Sequence, residues 1–101
     1  MTRVVWTLQA VEDVEAIRAY IARDSPHYAA LMAERIVETI ERLKEFPRSG
    51  RVVPELEREP YREVILGTYR IVYRLEADRA EILTVVHAAR LFPDLGDAGG
   101  R

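Results

Sequence analysis

At 101 residues, 49% apolar and 32% charged with a net charge of −2, the chain has the size and balance of one globular domain, too apolar for general disorder and too neutral to bind nucleic acid by bulk charge. It has no cysteine and two histidines, His27 and His87, which excludes disulfide scaffolds, thiolate metal sites and cysteine nucleophiles and gives no reason to expect a metal or a cofactor. No apolar run approaches a membrane span and the first residues lack a signal-peptide pattern, so the cytoplasm is the expected location.

Arg3-Val4-Val5-Trp6 reads as a short first strand. Thr7 is a natural helix N-cap, and Ala10, Val11, Val14, Ile17 and Ile21 follow at steps that make one apolar helical stripe. Asp24-Ser25-Pro26 ends that helix and starts the next, with Ser25 as cap and Pro26 at the first helical position, where its missing N–H costs nothing. The second helix carries Ala29, Ala33, Ile36, Ile40 and Leu43 along a seam, so the two form an antiparallel αα-hairpin. Phe46-Pro47-Arg48-Ser49-Gly50-Arg51 stops it, and the linker onward to Pro60 has no period that defines an element.

Three strands come next. Tyr61-Arg62-Glu63-Val64-Ile65-Leu66 and Tyr69-Arg70-Ile71-Val72-Tyr73-Arg74-Leu75 are joined through Gly67-Thr68, a two-residue hairpin turn with glycine first, and Ile82 to His87 is a β-branched run suited to a central strand. The order predicts an α+β domain, with an N-terminal strand, the helical hairpin and a three-stranded antiparallel meander. Residues 1–93 would be the domain and 94–101, rich in glycine, a flexible tail. In the middle strand Tyr69, Ile71, Tyr73 and Leu75 share one face, which should pack under the helices. Arg70, Val72 and Arg74 share the other, which is expected to stand open. Arg62, Arg70, Arg74, His87 and Arg90 are expected in one small area, unless Arg70 and Arg74 merely pair with Glu63, Glu76 or Glu81 across strands.

Trp6, the Asp13-Val14-x-x-Ile17-x-x-Tyr20-Ile21 helix, Asp24-Ser25-Pro26, Leu43-x-x-Phe46-Pro47-x-x-Gly50-Arg51, the Tyr69-to-Tyr73 strand and Val85-Val86-His87-x-x-Arg90 together resemble the RelE/ParE superfamily from Val4 to Arg90. The resemblance implies the toxin of a type II toxin–antitoxin pair, forming a hetero-oligomer with a protein antitoxin and having no membrane role. ParE-like members inhibit DNA gyrase without known catalysis, whereas RelE-like members cut messenger RNA on the ribosome. Position by position, the RelE-type basic residues are matched by Arg62, Arg70 and Arg90. Val64 replaces a second lysine, and no tyrosine follows the last strand.

Cleavage by 2′-hydroxyl attack needs a proton acceptor, a proton donor and cations on the phosphorane. Arginine stays protonated, so on the ribonuclease reading Arg62, Arg70 and Arg90 would hold phosphate and His87 would be the acid or base. On the ParE-like reading Arg62, Arg70, Arg74 and Arg90 form the surface for antitoxin or target. The Asp-Ser-Pro junction, the Phe-Pro-x-x-Gly-Arg stop and the strand end resemble the ParE branch more closely. A homologue that keeps antitoxin binding without toxicity is the third reading.

Overall fold

The computed structural model describes residues 1–88; Arg90, the expected domain end at residue 93 and the expected tail at 94–101 lie outside the described residues. Strand β1 (Arg3–Trp6) leads into helices α1 (Leu8–Ala22) and α2 (Pro26–Glu41), a 3-10 turn (Arg42–Lys44), and strands β2 (Arg51–Val52), β3 (Tyr61–Leu66), β4 (Tyr69–Glu76) and β5 (Arg79–His87). Thr7 and Ser25 cap the helices as expected, their hydroxyls accepting from the N–H groups of Ala10 and Tyr28 at 3.1 Å each. The Thr7 hydroxyl also donates to the Ile82 carbonyl at 2.6 Å. The cap of α1 is therefore pinned to the sheet. Among the described residues no helix is long and apolar enough to cross a membrane.

The strands form one sheet in the order β1-β5-β4-β3-β2, with β1 parallel to β5 and the other pairs antiparallel. The expected meander is thus its centre, and β1 returns beside the last strand. The helical hairpin covers one face, where Ala10, Met32, Ile36, Ile40 and Leu43 meet Tyr69, Ile71, Tyr73, Ile82 and Val85. Val11 differs from its expected place and is exposed. The buried seam of α1 runs Ala10, Val14, Ile17, Ile21, and a helix turns about 100° per residue, so Val11 points away from a seam centred on Ala10.

The second departure is larger. The face expected to stand open is covered: Val53, Tyr61, Val72 and Leu83 are buried together, with Leu56 packed on them. The linker does this without periodic secondary structure, because two apolar side chains, Val53 and Leu56, suffice to seat it. Between Val72 and Tyr73 the β4–β5 register slips, leaving Leu83 between Val72↔Thr84 and Tyr73↔Ile82. A bulge of this kind adds a residue to one strand, and here the extra residue joins the second cluster.

Tyr73 holds the stop after α2 to the sheet. Its buried hydroxyl donates to the Pro47 carbonyl at 2.6 Å and accepts from the Gly50 N–H at 3.1 Å. A Cβ on Gly50 would lie 2.6 Å from the Glu63 carbonyl oxygen and 2.7 Å from Tyr73 Oη, so this position has no room for a side chain. Gly50→Ala should destabilise the fold by about 1–3 kcal/mol, as overpacking does. The β4–β5 turn offers the opposite case, since Ala77 holds φ 51°, a left-handed conformation that a Cβ disfavours. Ala77→Gly should therefore raise stability by about 0.5–1 kcal/mol. Urea unfolding of both variants reads the two signs, and an unchanged midpoint in either would contradict the backbone geometry.

Candidate functional site

Gly67 takes φ 58° at the first central position of the β3–β4 turn, and that turn sets which cations can meet. With Leu66 opposite Tyr69, Arg62 falls opposite Tyr73, and Arg74 opposite Tyr61. Arg70 lies between Ile65 and Val86, and His87 opposite Tyr69. Directly opposed residues point to the same face. Arg62 and His87 accordingly belong to the helix-covered face of Tyr69 and Tyr73, while Arg70 and Arg74 belong to the linker-covered face. The single cluster expected from sequence is divided between the two sides of the sheet.

Even the two on the helical side are far apart. Their partners on β4 are four residues apart, about 14 Å at ~3.4 Å per residue, and β3 and β5 are two strand spacings apart, a further ~10 Å in breadth. With the Arg62 guanidinium donating to the Gly50 carbonyl and paired with Glu59, the two do not converge on one phosphate.

Arg70, expected on an open face, is 6% exposed. Its Nη1 and Nη2 donate to Glu55 Oε2 and Oε1 at 2.7 and 2.6 Å, a fork-to-fork pair, and its Nε donates to Glu63 Oε1 at 2.7 Å. Glu63, 1% exposed, takes Arg51 Nε on its other oxygen at 2.7 Å. The result is a ladder Glu55–Arg70–Glu63–Arg51 of zero net charge. Hydrogen bonding to Arg70 holds the Glu55 carboxyl below the usual carboxylate range, and the two carboxylates raise Arg70 still further above its ordinary value.

The remaining candidates are occupied differently. Arg62 donates from Nη1 to the Gly50 carbonyl at 2.7 Å and pairs with Glu59. Arg74 pairs with Glu76 at 3.0 Å and lies 6.0 Å from the centre of the Tyr61 ring. The pairing Arg70–Glu63 is the cross-strand alternative the sequence offered to a functional role, whereas Arg74 pairs with Glu76 along its own strand. Arg90 lies beyond the described residues.

His87 is exposed at the end of β5, its ring edge-on to Tyr69 with centroids 5.6 Å apart. Beside it a groove of about 440 Å³ runs between α1 and β5, lined by Asp13, Ile17, Tyr20, Tyr69, Val86 and His87. Burial pushes the Tyr69 hydroxyl up, with smaller contributions from Tyr28 and Tyr20. Asp13, named from sequence only within the family-like helix, acts here on the sheet. Its Oδ2 accepts from the Val85 N–H at 3.0 Å and from the Thr84 hydroxyl, covering the edge of β5 beyond the last β1 pair, Trp6↔Ile82. The available signal was an aspartate one residue before the apolar seam position Val14. Among the described residues no group of three or more His, Cys, Asp or Glu side chains could hold a metal.

A family model described as the ParE toxin of the type II toxin-antitoxin system, parDE, matches residues 4–92. The chain belongs to this ParE toxin family. It is 40% identical over 95 residues to Y4kP of Sinorhizobium fredii, covering 92% of this chain and 95% of that one. It is 38% identical over 91 residues to Toxin RelE2 of Caulobacter vibrioides, covering 90% of this chain and 100% of that one. A chain of the chromosomal ParDE system from P. aeruginosa shares the fold, with a TM-score of 0.71 at 24% identity over 86% of this chain and 96% of that one. A chain of the RelBE2 toxin-antitoxin complex from Mycobacterium tuberculosis superposes with a TM-score of 0.57 at 25% identity, over 85% of this chain and 96% of its own. The matched region of this ParE-family chain thus takes in all five strands and both helices.

In this ParE-family chain the Arg70 ladder is expected to be structural. Arg70→Ala leaves Glu63 buried with half its partners and should cost about 3 kcal/mol. Arg74→Ala, at a partly exposed pair, should cost under ~1 kcal/mol. Glu55 adds a pH dependence. Its carboxyl is depressed in the folded state, so its contribution is complete above the ordinary carboxylate value of about 4.3 and is lost as pH falls through the lowered one. Urea titrations should show wild type more stable than Glu55→Gln at pH 6 and the difference shrinking steadily below pH 4. A difference constant to pH 2 would remove Glu55 from the ladder.

Proposed function

We propose that this protein is the toxin of a type II toxin–antitoxin module and acts by binding DNA gyrase, with a cognate antitoxin neutralising it. The observation that carries the reading is the disposition of its cations. The arginine matched to the RelE-type strand, Arg70, spends its fork on Glu55 and Glu63, and Arg62 and His87 do not converge on one phosphate. A toxin that works by occupying its target needs no such convergence. Arg62, Arg74 and Arg90 on this reading are contact residues for target or antitoxin, and Arg70 holds the linker on the face it shares with Arg74.

Two observations support an antitoxin partner. The solved relative from Mycobacterium tuberculosis is a toxin-antitoxin complex. The helical hairpin also leaves large apolar side chains in water, Leu8 at 73% and Tyr20 at 67% exposure, with Val11 and Val37, which suits an amphipathic segment folding onto it.

The alternative is a RelE-like ribosome-dependent endoribonuclease, and it rests on the groove where His87 stands beside Tyr69 and Tyr20 and on the similarity to Toxin RelE2. In that case His87 would be the general acid or base, and Arg62, Arg70 and Arg90 the phosphate ligands. Inducing the protein in a bacterium lacking the antitoxin, while following labelled thymidine and labelled amino acids together, separates the two. Gyrase binding predicts that thymidine incorporation fails first and that His87→Ala leaves this intact. Collapse of translation first, abolished by His87→Ala, would establish the ribonuclease instead.

A further inference from the structure

Residues 53–61 form a closed loop over the non-helical face of the sheet. Its ends are tied by the Val53 N–H donating to the Tyr61 carbonyl at 2.9 Å. Between them the Leu56 and Glu57 N–H groups bond the Val53 carbonyl and the Tyr61 N–H the Arg58 carbonyl, while the Pro60 carbonyl, next to the loop's end, accepts from the Leu75 N–H of β4 at 2.7 Å. Residues 54–59 are thus fastened to the strands by side chains, namely Leu56 on the apolar cluster, Arg58 5.1 Å from the centre of the Tyr61 ring, Glu59 on Arg62, and Glu55 on Arg70. Glu57 sits at φ 49°, a left-handed conformation that strains a residue with a side chain. Compact loops with joined ends can lift as a unit, since nothing in their backbone ladder has to break.

What lies beneath is a shaped recognition site. The guanidinium of Arg70 is held from behind by Glu63, whose Oε1 lies 2.7 Å from both Nε and Nη2, and turns Nη1 and Nη2 toward Glu55. The apolar floor is Val72, Leu83 and Tyr61. Carboxylates fit such a fork bidentately. Glu55 fills it, with Val53 two residues before and Leu56 one residue after seated on the floor.

The geometry points to the loop as an autoinhibitory strap, in which Glu55 occupies a docking site whose external ligand is an acidic peptide segment of a partner protein. The strap's own sequence defines the chemistry of that ligand: an apolar residue, any residue, a carboxylate, then a second apolar residue, in the turn that the Leu56 N–H closes on the Val53 carbonyl at 3.1 Å. Such a segment gains the same two hydrogen bonds and the same apolar contacts when Glu55 releases them. The inference does not use the identity of the cellular target.

The test uses the purified full chain and a synthetic peptide spanning residues 52–60 of this sequence, with a Glu55→Gln version of the peptide and inorganic phosphate as comparisons. Binding is followed by the Nε–Hε resonance of Arg70. Glu55→Gln protein should bind the acidic peptide at least tenfold more tightly than wild type, move the Arg70 resonance, and ignore the glutamine peptide. Glu55→Asp, which keeps the charge but shortens the reach, should show an intermediate gain and serves if Glu55→Gln does not fold. Equal binding to wild type and variants would overturn the proposal, as would binding that leaves the Arg70 resonance in place. Phosphate competing as well as the peptide would also overturn it, by showing a simple anion site. Because the readout is binding to isolated protein, it stands or falls separately from any effect on growth.

Discussion

Glu63 sits on β3 with its carboxylate out of water, and much of this structure follows from meeting that charge. Removing an ion from water costs several kcal/mol after relaxation, and the cost is recovered only with close, well-directed partners. Arg70 from the neighbouring strand and Arg51 from β2 take one carboxylate oxygen each. Arg70, buried in turn, has a fork still to fill, and Glu55 fills it from the linker. The edge strand, the hairpin and the linker are therefore joined by one chain of charge, and the linker crosses the sheet where that chain places it.

Covering the second face changes what the arginines can do. A guanidinium on an open strand would be available to phosphate or to an acidic protein; the same group between two carboxylates has its fork spent internally. The cationic character that this face would have had is largely cancelled, which agrees with a net charge near zero for the whole chain. The other exposed surfaces lie elsewhere. One is the groove of Tyr20, Tyr69 and His87. Another is the outer side of the hairpin, where Leu8 and Val11 face water.

The same economy of groups closes the sheet on its other side. Strand β1 is only four residues long and stops at Trp6, opposite Ile82, while β5 runs on to His87 paired, among the described strands, with β4 alone. Exposed strand edges invite pairing with other chains. Thr7 takes the first step of cover through the Ile82 carbonyl, and Asp13 on α1 the next through Val85. The beginning of α1 is thus fitted to the strand end, and the groove by His87 starts where this cover stops.

Much of this was legible in the residues themselves. The caps at Thr7 and Ser25, Pro26 at the head of α2, the Gly67 turn, and the alternation that buries Tyr69, Ile71 and Tyr73 are local consequences of side-chain chemistry and strand geometry, and each appears where the sequence puts it. The hairpin register could have been followed further, since a two-residue turn already sets Arg62 against Tyr73 and parts it from Arg70. What the sequence could not disclose was the fate of residues 51–60. They have no period, and their position depends on partners distant in the chain: Val53 and Leu56 on Val72 and Leu83, and Glu55 on Arg70. Local patterns record which groups must be buried or paired. Only the tertiary structure decides with which partner, because that choice is made by whichever distant groups the fold brings within contact.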